Sequence, residues 1–357
     1  MSSRRNALDR FSHFVHDHFF GLLLATYVVA AVWPGPGLAI RKVSIGDLSG
    51  NWGGLNLSLP SLMLGFLLLN AGLGVKASEL RNLVSRPSLL GLGLVANLAI
   101  PILFIFGVSR LLHGWHNGDE VQTILVGLAL VASMPIAGSS TAWSQNADGD
   151  LALSLGLVVG STILSPLATP LSLHAVGFMA SGDYAEDLHE LATTGSGFFL
   201  MACVVIPSAL GIVIRLVVGE SRLAVARPHL KLANSVNLLV LSYSNAAAVL
   251  PRTLASPDWD FLGMIVAITA GLCTLAFASG WWIARRLDAG PSARASLMYG
   301  LGMNNNGTGL VLASMALADH PQVMLPILVY NLVQQIVAGL VGQLVRRLTP
   351  SPAIESA

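Results

Sequence analysis

Charge is what this chain has least of. Asp, Glu, Lys and Arg make up 10% of its 357 residues, hydrophobic residues make up 54%, and the mean hydropathy is +0.70. Soluble globular domains carry about 25% charged residues, so this composition excludes one and points to a lipid bilayer as the surrounding medium. A formal net charge of +1 supplies no basic field, and no nucleic-acid partner is expected. Cysteine is nearly absent. Cys203 and Cys273 both lie inside apolar runs, which argues against a disulfide framework or a zinc centre. No His-Glu-x-x-His pattern occurs. Asp148 and Asp150 share one turn with no Asp in a neighbouring apolar run, so the two opposed aspartates of an intramembrane protease are missing. No enzyme activity, no cofactor and no obligate protein partner are expected.

Ionisable groups are scarcer still within the apolar runs. Glu120, Asp148, Asp150 and Arg110 all fall near run ends, which leaves no carboxylate at mid-membrane for a proton relay. His174 stands late in its run and reads as interfacial. What remains for chemistry in the membrane is neutral: amides, hydroxyls, carbonyls and helix ends.

Long apolar runs are plentiful. At about 20 residues per crossing, the chain accommodates roughly ten spans and no second soluble domain. They are placed near Phe19–Trp33, Leu55–Val75, Pro87–Leu112, Val121–Gln145, Leu151–Phe178, Thr193–Val218, Leu232–Leu250, Phe261–Ala284, Ala295–Leu317 and Pro321–Val345. The expected organisation is a leader (1–18), one membrane domain (19–345; halves of about 19–178 and 193–345) and a tail (346–357). Arg4, Arg5 and Arg10 before the first run imitate a secretory signal. No small-residue cleavage site precedes Trp33-Pro34-Gly35-Pro36-Gly37, so the run is expected to stay attached.

Basic residues orient the chain. With the N-terminus cytoplasmic, 15 of the 19 Lys and Arg fall inside, among them Arg4, Arg5, Arg10, Lys76, Arg81 and Arg86. Only Arg41, Lys42, Arg110 and Arg252 fall outside. The positive-inside rule favours this arrangement, with both termini cytoplasmic and an even number of spans.

The fourth and ninth runs are interrupted. In the ninth, Tyr299-Gly300-Leu301-Gly302-Met303-Asn304-Asn305-Asn306-Gly307-Thr308-Gly309 puts glycines and amides where lipid demands apolar helix. In the fourth, Ser133-Met134-Pro135-Ile136-Ala137-Gly138 is followed by Ser139, Ser140 and Thr141; proline removes a backbone donor and glycine loosens the chain. Irregular backbone at membrane depth survives only where protein buries it or it lines a cavity, as in transporter ion and substrate sites. The same hydroxyls also serve as packing hydrogen bonds elsewhere, and that reading stands beside the functional one for any single residue. Interruptions five spans apart, in halves of opposite orientation, are the mark of an inverted repeat. Ser242-Tyr243-Ser244-Asn245 and Asn70 interrupt two further spans.

Several segments together resemble the bile acid:sodium symporter family: Asn70-Ala71-Gly72-Leu73-Gly74-Val75-Lys76, Ala96-Asn97-Leu98-Ala99-Ile100-Pro101, Gly149-Asp150-Leu151-Ala152-Leu153-Ser154, Ser165-Pro166-Leu167-Ala168-Thr169-Pro170 and Gly302-Met303-Asn304-Asn305-Asn306-Gly307. The resemblance runs from about Leu55 to about Val345. It implies an all-α polytopic fold of two inverted five-helix repeats, with spans four and nine broken and crossing. A core domain (spans three to five and eight to ten) would face a panel domain (one, two, six and seven). It implies import of a small organic anion with Na⁺ by alternating access, in the plasma (cytoplasmic) membrane.

By position, the family's sodium ligands fall on Ser140, Thr141 and Ser154 for one ion, and on Asn97 and Asn304 for the other. Substrate contacts fall on Asn305, Gly307, Thr308 and Asn331, with Ser244 and Asn245 as panel residues able to face the same cavity. Two positions depart: Gly300 stands where the family has a glutamate serving both ions, and Val158 replaces a hydroxyl. A related fold carries arsenite efflux proteins with a cysteine in the fourth span, and here that stretch has Ser133 and Met134 instead. A proton-coupled or uncoupled carrier, and a passive receptor or channel, answer to the same sequence.

Overall fold

The computed structural model describes Val15 and residues 18–50, 53–75 and 86–348. Most of the leader, the connection 76–85 and the tail from 349 lie outside the described residues, and with them Arg4, Arg5, Arg10, Lys76 and Arg81 of the orientation count. Helix α1 (Phe19–Val32) ends before Pro34, and the chain turns by 92° into the short α2 (Gly35–Lys42). An antiparallel hairpin follows, β1 (Ser44–Gly50) and β2 (Gly53–Ser58), with Ser44 opposite Ser58.

The hairpin corrects the second span. Leu55–Ser58, expected to open it, alternate apolar and polar with period two and pair as a strand instead. Helix α3 (Leu59–Gly74) starts only after Ser58 and Ser61 close a capping box: each side chain accepts from the other's backbone N–H.

Next come α4 (Pro87–Leu111), α5 (Gly118–Ser133), α6 (Ser139–Asn146), α7 (Leu151–Gly177) and the short α8 (Asp183–Glu190). The remainder is α9 (Ser196–Val218), α10 (Glu220–Ala246), α11 (Leu250–Ala255), α12 (Trp259–Arg286), α13 (Pro291–Gly302), α14 (Asn306–Ala316) and α15 (Met324–Leu348). Asn117, Asp150 and Asp258 cap α5, α7 and α12 by accepting from backbone N–H groups in the first turn. Gly219, at φ +82°, reverses the chain between α9 and α10 with no further linker, a conformation that L side chains resist. The helix that holds the seventh apolar run therefore begins at Glu220, ahead of Leu232, and ends at Ala246.

The fold is an all-α polytopic membrane protein. Among the described residues, the helices of α4, α7, α9, α12 and α15 are long and apolar enough to cross a bilayer. The other candidate crossings are α1, α3, α10 and the two interrupted pairs α5/α6 and α13/α14. Side chains such as Leu103 on α4 and Leu167 on α7 are exposed, as lipid-facing residues are. Helices α1, α2, α3, α9 and α10 pack on one another, while α4 to α7 and α12 to α15 form a second group. In the first group α3 and α9 cross at Gly72 and Gly211, where a Cβ on either would overlap the other helix's backbone. The second group holds both interruptions.

Candidate functional site at the crossing of two broken helices

The two interruptions meet. Helix α5 stops at Ser133 because Pro135 has no N–H to continue it, and α6 resumes at Ser139. Helix α13 stops at Gly302, and α14 resumes at Asn306. Between them the chains lie antiparallel: Ala137 N–H donates to the Met303 carbonyl (2.9 Å), and Asn305 N–H donates to the Pro135 carbonyl (2.9 Å). Each break thus satisfies backbone groups that the other would strand in an apolar interior.

Side chains complete the junction. Gln334 of α15 brackets Asn304, its Oε1 accepting from Asn304 N–H (3.2 Å) and its Nε2 donating to the Asn304 carbonyl (3.3 Å). Asn304 Nδ2 donates to the Val131 carbonyl at the end of α5 (3.0 Å). On the other side, Ile136 N–H donates to Ser161 Oγ (3.0 Å), and Thr169 Oγ1 donates to the Ser133 carbonyl. Two helix N-termini and two C-termini converge here, so partial charges of both signs face one region.

The sodium-site candidates divide. Ser154 Oγ donates to Thr141 Oγ1 (3.3 Å), so α6 and α7 bring those two hydroxyls together. Ser140 adjoins Thr141 and is fully buried, and its Oγ has no hydrogen-bond partner. Burying an unpaired polar atom costs about 1–3 kcal/mol, and a cation held by neutral oxygens would offset that cost. All three are neutral hydroxyl oxygens, the kind of donor a hard monovalent ion takes. Asn97 and Asn304 each keep a buried, unpartnered Oδ1, yet no hydrogen bond joins them among the described residues.

The substrate candidates divide as well. Asn305 Oδ1 caps α14 by accepting from Thr308 N–H (3.4 Å), next to the half-buried Gly307. Thr308 Oγ1 and both amide atoms of Asn306 are buried without partners. Asn70 on α3 has both amide atoms in the same condition, and its neighbour Ala71 lies against Gly138. Asn331 is already engaged, its Nδ2 donating to Tyr27 Oη (3.2 Å). Ser244 turns its hydroxyl to the Leu241 carbonyl of its own helix, and Asn245 Oδ1 accepts from Arg41. These three take part in packing bonds within or between helices.

Gly300 is closed over by an apolar side chain. A Cβ at Gly300 would lie 2.8 Å from Leu157 Cδ1, one at Gly93 would lie 2.6 Å from Leu157 Cδ2, and Leu157 itself is fully buried. Leu157 joins Leu89, Ile136, Leu153 and Leu297 in an apolar cluster of its own. The space a longer side chain at 300 would need is therefore filled with hydrocarbon.

Sequence reading passed over Gln334, Ser161 and Thr169, which hold the breaks open. Gln334 was findable in principle, since an amide inside an apolar span must find a partner. Ser161 and Thr169 were not, because Ser and Thr bond silently to their own helices in most membrane spans.

The model of the sodium bile acid symporter family matches residues 61–251. The chain is 28% identical over 293 residues to the uncharacterized protein YbaS of Bacillus subtilis (strain 168), covering 82% of this chain and 90% of that one. It is 25% identical over 291 residues to the uncharacterized sodium-dependent transporter YocS of the same organism, covering 77% and 84%. It is 23% identical over 261 residues to the probable sodium/metabolite cotransporter BASS2, chloroplastic, of Oryza sativa subsp. japonica, covering 72% and 57%.

Proposed function

The chain belongs to the sodium bile acid symporter family, and from that premise we propose that it imports a small organic anion with Na⁺ by alternating access. The observation that carries this reading is the crossing itself: two unwound segments bonded to each other, with Ser140, Asn304, Asn306 and Thr308 keeping buried polar atoms unpartnered around them. Na⁺ is the coupling ion that suits neutral oxygens, because no carboxylate stands among these residues to carry a proton. The hydroxyls of Ser140, Thr141 and Ser154 are its ligands in this reading. Asn305, Asn306, Gly307 and Thr308 open α14, where backbone N–H groups and the positive helix end would receive an anion.

Both termini face the cytoplasm in this proposal, and the membrane is the plasma membrane. Basic asymmetry supports the orientation. The hairpin, the segment 191–199 and the end of α14 share one end of the molecule, as alternating spans require, and the basic asymmetry assigns that end to the outside.

The deciding experiment is uptake of radiolabelled monocarboxylates and sulfonates into proteoliposomes under imposed Na⁺, K⁺ or proton gradients. Accumulation is expected only with inward Na⁺. Full accumulation on a proton gradient alone would overturn the sodium reading.

A further inference from the structure

At the end of the molecule assigned to the outside, away from the crossing, a cavity of about 470 Å³ is lined by Arg41 and Lys42 of α2, by Ser44 and Ser58 of the hairpin, and by Ser314 near the end of α14. Among the described residues no carboxylate lines it. Arg41 is half-buried, and its Nη1 donates to two neutral atoms, Asn245 Oδ1 (3.3 Å) and Met324 Sδ (3.8 Å). Neither Arg41 nor Lys42 forms an ion pair among the described residues.

A guanidinium carries five N–H donors in a planar fork, so most of Arg41's capacity is left for a ligand. A cation partly withdrawn from water and met only by neutral acceptors is unfavourable, and an anion would relieve it. Helix ends contribute little: the N-terminus of α3 is at this cavity by way of Ser58 and Pro60, and the C-termini of α2 and α14 by way of Lys42 and Ala316, so their half-charges partly cancel and leave a small negative remainder beside two full cations. The two side-chain charges therefore dominate. The hydroxyls of Ser58 and Ser314 are already bonded, to Ser61 and to the Val311 carbonyl, so the two cations carry the recognition, and Leu312, Met315 and Phe199 give the cavity an apolar wall. Arg41 also spans the two packing groups, since Asn245 belongs to α10 and Met324 opens α15.

We propose that this cavity is a capture site for a small amphipathic carboxylate or sulfonate, bound by the Arg41 fork with Lys42 beside it, before it reaches the crossing. The assignment rests on the organic-anion reading above. It differs in needing no Na⁺, because its positive charge comes from the protein.

The test is calorimetric titration of hexanesulfonate into the full-length protein in phosphatidylcholine nanodiscs, in K⁺ buffer free of Na⁺. A sulfonate stays ionised throughout the usable pH range, so its charge is not a variable. Arg41→Gln is expected to weaken binding at least roughly tenfold, Arg41→Lys less, and Lys42→Gln by a few-fold, as expected for loss of a forked charged pair, of its geometry alone, and of an exposed neighbour. Because Arg41→Gln could disturb packing, monodisperse elution is required of each variant, and the exposed Lys42→Gln carries the test if it fails. No binding to the parent, or equal affinity in parent, Arg41→Gln and Lys42→Gln, would overturn the proposal. So would loss of binding when phosphatidylglycerol replaces part of the neutral lipid, which would assign the cavity to lipid headgroups. Na⁺-driven uptake decides the carrier reading separately. Hexanesulfonate binding without any such uptake would leave this site standing and remove that reading.

Discussion

The two breaks reach the same end by different chemistry. The first is favoured by covalent structure, since Pro135 cannot donate, but Pro101, Pro166 and Pro170 sit inside the unbroken α4 and α7, so the first break also rests on its bonds to Ser161, Thr169 and Met303. The second has no proline between Met303 and Asn306, and it is kept open by the Gln334 amide bonded to the Asn304 backbone, by Asn305 N–H donating to the Pro135 carbonyl and by Thr308 N–H donating to Asn305 Oδ1. A break held by side chains can be undone by changing side chains. That asymmetry predicts where the molecule is vulnerable.

The largest effect is expected at Asn305. Asn305→Leu removes the cap of α14 and places hydrocarbon where the helix end would receive an anion, and transport should fall to the background of empty proteoliposomes. Normal kinetics in that variant would make the amide run structural only. Next comes Asn304→Leu, which strands the Val131 carbonyl and crowds Gln334. A loss of about 2–3 kcal/mol is expected in reversible unfolding in mixed micelles, and an unchanged midpoint would break the comparison between the two interruptions.

A third effect tests the proposed ion site. Gly300→Glu alone should fold poorly or remain protonated, because Leu157 fills the space and the apolar cluster gives a carboxylate no partner. Combined with Leu157→Ala, the carboxylate gains room, and Na⁺ binding should tighten by at least roughly tenfold relative to the parent. Calorimetric titration with NaCl checks this, and equal affinity in parent and double variant would detach the hydroxyl cluster from sodium. The smallest effect belongs to the covalent break. In Pro135→Ala the bonds from Ala137 N–H to Met303 and from Asn305 N–H to Pro135's carbonyl position survive, so a loss under about 1 kcal/mol is expected in the same unfolding assay. A loss matching that of Asn304→Leu would erase the asymmetry.

Much of the fold was legible beforehand. Apolar run length marks a span because a helix rises about 1.5 Å per residue and the hydrocarbon core is roughly 30 Å thick. Both interruptions were legible too, since Pro135 and the run Asn304-Asn305-Asn306 violate helix chemistry locally. The second span's beginning was not. Leu55 and Leu57 are apolar, and only pairing with β1 shows that they alternate across a strand. The start of α10 misled for the opposite reason: its first turns carry Glu220, Arg222, Arg227 and Lys231, so hydropathy hid a helix whose start is held by the buried Leu223 and by Glu220 pairing with Arg215 and Arg227.

The candidate site was legible as residue types and not as partnerships. Ser140, Thr141 and Ser154 could be nominated as oxygen donors, and Asn304 to Thr308 as a broken helix, from local sequence. Which amide atoms stay free is a matter of distance across the fold: Asn304 Nδ2 is claimed by the Val131 carbonyl while its Oδ1 stays unpartnered, Asn331 is claimed by Tyr27, and Asn245 by Arg41. Arg41 itself was counted only as an outside charge, and the 92° turn after α1 is what carries it against α10 and α15.

Composition and run length therefore determined that the chain lives in a bilayer, that its fourth and ninth spans break, and which atoms are chemically able to bind an ion there, because each of these follows from covalent structure and short-range propensity. Tertiary structure alone decided that the two breaks bond to each other, that Leu157 occupies the room beside Gly300, and that a basic cavity opens at the far end of α14. Those facts depend on contacts between residues more than a hundred positions apart, which no local pattern encodes.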